Sequence, residues 1–163
     1  MHGRAEIAES FGMLQSRAMR SEIINKPSLL LVEDSEDDAY FFKRTLQKSG
    51  HTCAFHRATN GAEAVDFLQK ASAPDSSTLP RVIFLDLKMP VLNGFEVLDW
   101  LRHQSFAGQM RVVVLSGSEY EDDKHRATEL GASDYLVKPV RTEDFDRFLQ
   151  DVCPPENQGG ATS

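Results

Sequence analysis

Four short apolar runs in this sequence each end in a group capable of chemistry. Ser28 to Glu33 (SLLLVE) runs into Glu33-Asp34, and Arg81 to Asp86 (RVIFLD) ends in Asp86. Arg111 to Ser116 (RVVVLS) ends in Ser116-Gly117, and Asp134 to Lys138 (DYLVK) ends in Lys138-Pro139. Three carboxylates held close would raise one another's pKa and cost stability. A hard divalent cation removes that problem. Mg²⁺ prefers one or two carboxylates, retained waters and phosphate oxygens, which is what such a cluster offers. A carboxylate in that setting can act as a nucleophile and form an aspartyl phosphate. Phosphoryl transfer asks mainly for positioning and charge neutralisation. Lys138 supplies a cation, Ser116 a hydroxyl for a phosphoryl oxygen, and Gly117 leaves room beside it.

Each of these groups has a plainer explanation when taken alone. Glu33-Asp34 suits the start of a helix, Asp86 a solvated turn before Pro90, and Ser116 a turn former. Lys138-Pro139 is an ordinary dipeptide, although X-Pro bonds adopt the cis form more readily than others. The joint pattern favours the chemical reading, provided that the four runs are strands ending at one edge.

The rest of the chain supports that arrangement. Ser35 to Ser49 has Ser35 as a cap, Asp38 three residues on, and Ala39, Phe42 and Leu46 on one face, which predicts a helix ended by Gly50. Thr52 to Ala58 reads as a weaker strand. Asn60-Gly61 opens a helix through Gln69, with Ala64, Val65 and Leu68 inward. The stretch from Ser72 to Pro80 (SAPDSSTLP) reads as a flexible loop. Gly94 to Gln104 is expected to be a helix with Phe95, Leu98 and Leu101 inward. Tyr120 to Leu130 forms another, closed by Gly131. Thr142 caps a final helix with Phe145, Phe148, Leu149 and Val152 on its buried face. A β-α unit repeated five times predicts an α/β fold of the doubly wound kind, a parallel sheet with helices on both faces. Five units are too few for an eight-stranded barrel. In an open parallel sheet, sites form at the C-terminal strand ends.

The chain has 163 residues and a formal net charge of −7. That charge disfavours nucleic-acid binding, and no Lys/Arg run exceeds two residues to offset it. No apolar run approaches a membrane span, and Met1-His2-Gly3-Arg4 lacks a signal-peptide core. The expectation is a cytoplasmic protein in which Cys53 and Cys153 are reduced, incidental thiols. Residues 1–27 read as an extension, with Ile7, Phe11 and Leu14 at helical spacing or with no fixed structure. Residues 28–152 form the domain, and residues 153–163 a disordered tail.

The segments LLLVEDSEDD, FLDLKMPVLNG, VVLSGS and GASDYLVKPV resemble, in order and spacing, the receiver domains of response regulators in two-component signalling. The resemblance covers roughly residues 28–152. It implies a flavodoxin-like, five-stranded parallel sheet of order 2-1-3-4-5. It implies that Asp86 is the phosphoacceptor and that Asp34 ligates Mg²⁺ directly, while Glu33 acts through water. The backbone carbonyl of Lys88 would complete the metal site. Ser116 would be the switch hydroxyl, Tyr135 the aromatic switch, Lys138 the family's lysine, and Lys138-Pro139 a cis peptide. Lys88 and Ser118 are tuning positions beside the path of attacking water.

The long 72–80 loop and the opening DSEDDAYFFKRTL are similar to stand-alone regulators that serve phytochrome-type kinases. The expected donors are a histidine kinase or a phosphotransfer protein. Output would pass by protein contact or relay, and a homodimer is compatible with this reading. Turnover is not expected beyond slow autodephosphorylation. Two other classes fit less well. A haloacid dehalogenase-type phosphatase would place a second acid two residues after its nucleophile, where this chain has Lys88. A structural adaptor that never takes phosphate would not need the complete set of groups.

Overall fold

A computed structural model describes residues 26–155. The proposed helix around Ile7, Phe11 and Leu14 lies outside the described residues, as does most of the tail. The elements alternate without exception: β1 (Ser28–Val32), α1 (Glu36–Ser49), β2 (Ala54–Ala58), α2 (Gly61–Ala71), β3 (Val82–Asp86), α3 (Gly94–Leu101), β4 (Arg111–Ser116), α4 (Glu121–Glu129), β5 (Asp134–Val137) and α5 (Thr142–Leu149). A single 3₁₀ turn, Ala107–Gln109, precedes β4. The sheet is parallel throughout, in the order β2-β1-β3-β4-β5.

Strand periodicity divides the core in two. Leu30, Val32, Ile83, Leu85, Val112 and Val114 face α2, α3 and α4, where Leu68, Leu98 and Ala127 meet them. Leu29, Leu31, Val82, Phe84, Val113 and Leu115 face α1 and α5. There Phe42 and Phe145 pack edge to face with centroids 5.0 Å apart, as do Phe42 and Phe84. Central strands covered on both sides must be apolar on both, which is why β1 and β3 read as unbroken hydrophobic runs.

Helix starts follow local chemistry. Ser35 Oγ accepts from the Asp38 N–H at 3.2 Å, and Gly50 takes the left-handed φ of 79° that closes α1. Asn93 and Glu96 form a reciprocal capping box on α3. Thr142 does not cap α5 as expected. It lies inside the helix, and Arg141 is the cap residue. The first-turn acid Asp144 reaches back to accept the Arg141 N–H at 2.8 Å, and no cap side chain accepts from the first-turn amides. α3 stops at Leu101, three residues short of the expected end, and Phe95 and Val65 are only partly buried. The Arg126 guanidinium stacks over Phe95 at 4.2 Å and covers it. Residues 72–80 carry no regular structure, but Ser28 Oγ donates to the Thr78 carbonyl at 3.3 Å and Leu79 packs on the core.

The cysteines correct the sequence reading. Cys53 and Cys153 are joined in a disulfide with Cα atoms 5.7 Å apart, a spacing normal for such bonds. They are 100 residues apart in sequence, but one precedes β2 and the other follows α5 at the same edge. Ordered structure therefore runs past residue 152. Cys153 is buried, and Pro155 makes an antiparallel bridge with His51. The buried His51 ring spans this junction, with Nδ1 2.6 Å from the Cys153 carbonyl oxygen and Nε2 2.8 Å from Asp146 Oδ1.

Candidate functional site

The strand order reverses direction between β1 and β3, so the crevice beyond their C-terminal ends is where such a sheet forms a site. Glu33 follows β1, and Asp86 is the last residue of β3. Carboxylate oxygens of Glu33, Asp34 and Asp86 all lie within 4.8 Å of one another. Glu33 and Asp86 are 2% and 5% exposed, while Asp34 faces solvent. All donors are oxygen, and the set is two buried acids and one open one. That chemistry fits a hard divalent cation bound with retained water.

Lys138, one residue past β5, closes the other side. Its Nζ donates to Glu33 Oε2 at 2.6 Å and Asp38 Oδ2 at 2.9 Å, and lies 3.6 Å from Asp86 Oδ1. Burial alone would lower the lysine's pKa. The hydrogen bonds to Glu33 and Asp38, with the charge of Asp86, outweigh that and raise it. The Asp86 carboxyl moves up to about 6, because burial and the neighbouring Glu33 penalise its charge more than Lys138 and the Lys88 N–H relieve it. Lys88 N–H reaches Asp86 Oδ1 at 3.4 Å, which puts its backbone at the rim. The Lys138-Pro139 peptide is cis, as the resemblance implies.

Glycine decides how closely α3 approaches. A Cβ at Gly94 would sit 2.4 Å from the Asp86 carbonyl oxygen and 2.8 Å from Leu87 Cα. Only glycine lets the helix start against the end of β3. Between them the chain makes a γ-turn in which the Leu92 N–H donates to the Pro90 carbonyl at 2.8 Å, with Val91 at φ 69°. A β-branched residue at positive φ is strained, and such strain concentrates near functional sites.

Ser116 is buried at the end of β4, the strand beside β3. Its Oγ accepts from the Ser118 N–H at 3.1 Å. Tyr135 OH donates to the Ser118 carbonyl at 2.9 Å, and Ser118 Oγ donates to Asp123 at 3.0 Å. Ser116, Ser118, Tyr135 and the first turn of α4 thus form one connected path. The structure brings Glu33, Asp34, Asp86, Lys88 and Lys138 to one place, and links Ser116 to Tyr135 next to it.

Two participants were not singled out from sequence. Asp38, in sequence no more than part of a helix start, is the second hydrogen-bond partner of Lys138. Its position on the first turn of α1, one helical turn after Asp34, is the signal that could have marked it. Arg57 in β2 donates from Nε and Nη2 to the Glu33 carbonyl at 3.3 and 3.1 Å, and from Nη1 to Glu36 at 2.9 Å. It anchors the backbone of the acidic pair from the edge strand. Only strand order reveals that contact.

Comparison with known proteins agrees with this architecture. The family model for the response regulator receiver domain matches residues 29–150. The probable methanogenesis regulatory protein FilR2 of Methanothrix harundinacea is 33% identical over 124 residues, covering 76% of this chain and 79% of that protein. The response regulator Rcp1 of a Synechocystis strain is 32% identical over 133 residues, covering 81% and 90%. The bacteriophytochrome response regulator AtBRR superposes with a TM-score of 0.67 at 32% identity, over 78% of this chain and 93% of that one. The Mn²⁺-bound form of Rcp1 superposes with a TM-score of 0.62. No helix among the described residues is long and apolar enough to cross a membrane. From the family match and the geometry together, the chain belongs to the response regulator receiver domain family.

Proposed function

We propose that this protein is a phosphorylation switch in which Asp86 accepts a phosphoryl group from a histidine kinase or a phosphotransfer protein. The observation that carries this reading is the placement of the buried Asp86 carboxylate beside Glu33, Asp34 and Lys138, with the carboxylate oxygens within 4.8 Å and the ammonium 3.6 Å away. An Asp86 oxygen attacks phosphorus as the bond from phosphorus to the donor's imidazole nitrogen breaks, and the imidazole leaves with its electron pair. Asp34, Asp86 and the Lys88 carbonyl would hold Mg²⁺, with Glu33 acting through water. Bound there, the ion supplies positive charge between the carboxylates and the phosphoryl oxygens. Lys138 is already held at the site by Glu33 and can pair with a phosphoryl oxygen. Ser116 lies where its hydroxyl can turn from the Ser118 N–H toward the new group.

The site lacks a second acid placed to activate water two residues past Asp86, which supports a switch with slow autodephosphorylation over a phosphatase. The likeness to AtBRR and Rcp1 supports a stand-alone regulator that signals by protein contact or relay, with a phytochrome-type kinase as donor. A cytoplasmic site of action fits that partner. Acetyl phosphate with Mg²⁺ should add one phosphoryl group, detected by intact mass, and Asp86→Asn should remain unlabelled. Equal labelling of both proteins would overturn the assignment.

A further inference from the structure

We propose that Cys53 and Cys153 form a reversible thiol–disulfide site, exchanged by a small anionic thiol of the glutathione class, that sets how firmly the end of α5 is held. The proposal does not depend on the role assigned to Asp86. The pair sits beyond the amino-terminal end of β2, whereas the acidic cluster lies at the carboxyl ends of β1 and β3, because Cys53 precedes β2 and Cys153 follows α5. α5 runs between the two ends. It begins just after Lys138-Pro139 and finishes at this junction.

The two cysteines differ in burial. Cys153 is 2% exposed, whereas Cys53 lines a groove of about 390 Å³ with Lys43, Gln47, His51, Thr52 and Phe55. The groove offers the ammonium of Lys43, the amide of Gln47 and the ring of Phe55. These suit the carboxylates and peptide groups of a small thiol peptide. An incoming thiolate attacks Cys53 Sγ, the Sγ–Sγ bond breaks, and Cys153 leaves as a thiolate that takes up a proton. A second thiolate attacks the outer sulfur of the mixed disulfide. It releases Cys53 as a thiol once protonated, together with the small-molecule disulfide. Two electrons pass to the protein. The reverse sequence, with the small-molecule disulfide as oxidant, closes the bond.

Reversibility has a structural basis independent of the bond itself. His51 holds the Cys153 carbonyl and Asp146 at once, and His51 bridges Pro155. The Val152 and Cys153 N–H groups both donate to the Leu149 carbonyl, at 3.0 and 2.7 Å. Once opened, the cysteines stay neighbours, which favours closure over a lasting mixed disulfide.

The test equilibrates the full chain across ratios of reduced to oxidised glutathione, traps free thiols with a mass tag, and reads intact mass, melting temperature and hydrogen exchange. We expect a single step between dithiol and internal disulfide. The oxidised form should melt roughly 5–15 °C higher, given the long loop that the bond closes. Reduction should speed amide exchange at Val152 and Cys153 by about tenfold or more. Cys153→Ser should match the reduced protein and collect glutathione on Cys53. A bond that glutathione cannot open in the folded protein would overturn the proposal. So would a stable mixed disulfide as the end state of the native chain, opening without change in melting or exchange, or a Cys53 in the Cys153→Ser protein that takes no glutathione.

Discussion

The Asp86 carboxyl carries an electrostatic cost that the fold accepts for the sake of the site. With its pKa at about 6, the folded protein binds a proton more tightly there than the unfolded chain does, whose ordinary value is about 3.9. Stability from this residue is therefore present at about pH 4 and lost as pH rises through about 6. Near pH 7 the loss is on the order of 1–3 kcal/mol. Without divalent cation, Asp86→Asn should be more stable than the natural protein at about pH 7, and that advantage should vanish near pH 4. Denaturant titrations in chelator across this range would show it, and a constant difference would refute it. Lys138 answers a separate question. Its two hydrogen-bonded carboxylate partners differ in burial, since the Glu33 side chain is 2% exposed and that of Asp38 is 47% exposed. Asp38→Asn removes a half-exposed contact and should cost under about 1 kcal/mol. Lys138→Met leaves Glu33 and Asp86 without their cation and should cost about 3 kcal/mol near neutral pH. Paired thermal melts of the two variants would check this ranking.

At the level of elements, the connection from β3 to α3 concentrates strain and close contact in a few residues. Val91 is 81% exposed at φ 69°, so its side chain contributes little packing while its backbone is strained. Val91→Gly should relieve that strain and gain roughly 1 kcal/mol, less the added freedom of the unfolded chain. Gly94→Ala should do the reverse, because its Cβ would meet the backbone of Asp86 and Leu87. Overpacking against backbone should cost about 1–3 kcal/mol and displace the phosphoacceptor's own strand end. Melting temperatures that move in opposite directions would support both arguments. The sequence reading located this connection but not its mechanics. The sequence marks a helix opening at Gly94, whereas its Asn93 cap, the γ-turn and the demand for glycine emerge only from how near α3 comes to β3. The α5 cap shows the same limit. Thr142 is the better cap by residue type, yet Asp144 satisfies the Arg141 N–H, and composition alone does not decide between two first-turn oxygens.

For the molecule as a whole, legibility followed periodicity. The runs SLLLVE, RVIFLD and RVVVLS announce strands buried on both faces, and this set of strand ends gathers Glu33, Asp86, Ser116 and Lys138 at one edge. What sequence could not show were contacts that exist only once the strand order is fixed: Arg57 on the Glu33 carbonyl, Asp38 on Lys138, and Cys53 against Cys153. The same topology separates two faces that should respond differently to phosphorylation. Ser116, Ser118, Tyr135 and Asp123 form a continuous hydrogen-bonded path on the β4–α4–β5 side. The α1–α5 face is a packed aromatic core of Phe42, Phe84, Phe145 and Phe148. A new phosphoryl group on Asp86 would accept the Ser116 O–H and draw that side chain toward it, away from the Ser118 N–H, and freeing that N–H should release the loop that Tyr135 holds. Phosphorylated protein should therefore show NMR shift changes from Ser116 to Asp123 and at Tyr135, with little change at Phe145 and Phe148. Ser116→Ala should still accept the phosphoryl group yet lose the Tyr135 changes, because no hydroxyl remains to move. Natural-sized shifts at Tyr135 in that variant would show that the signal leaves the site by another route.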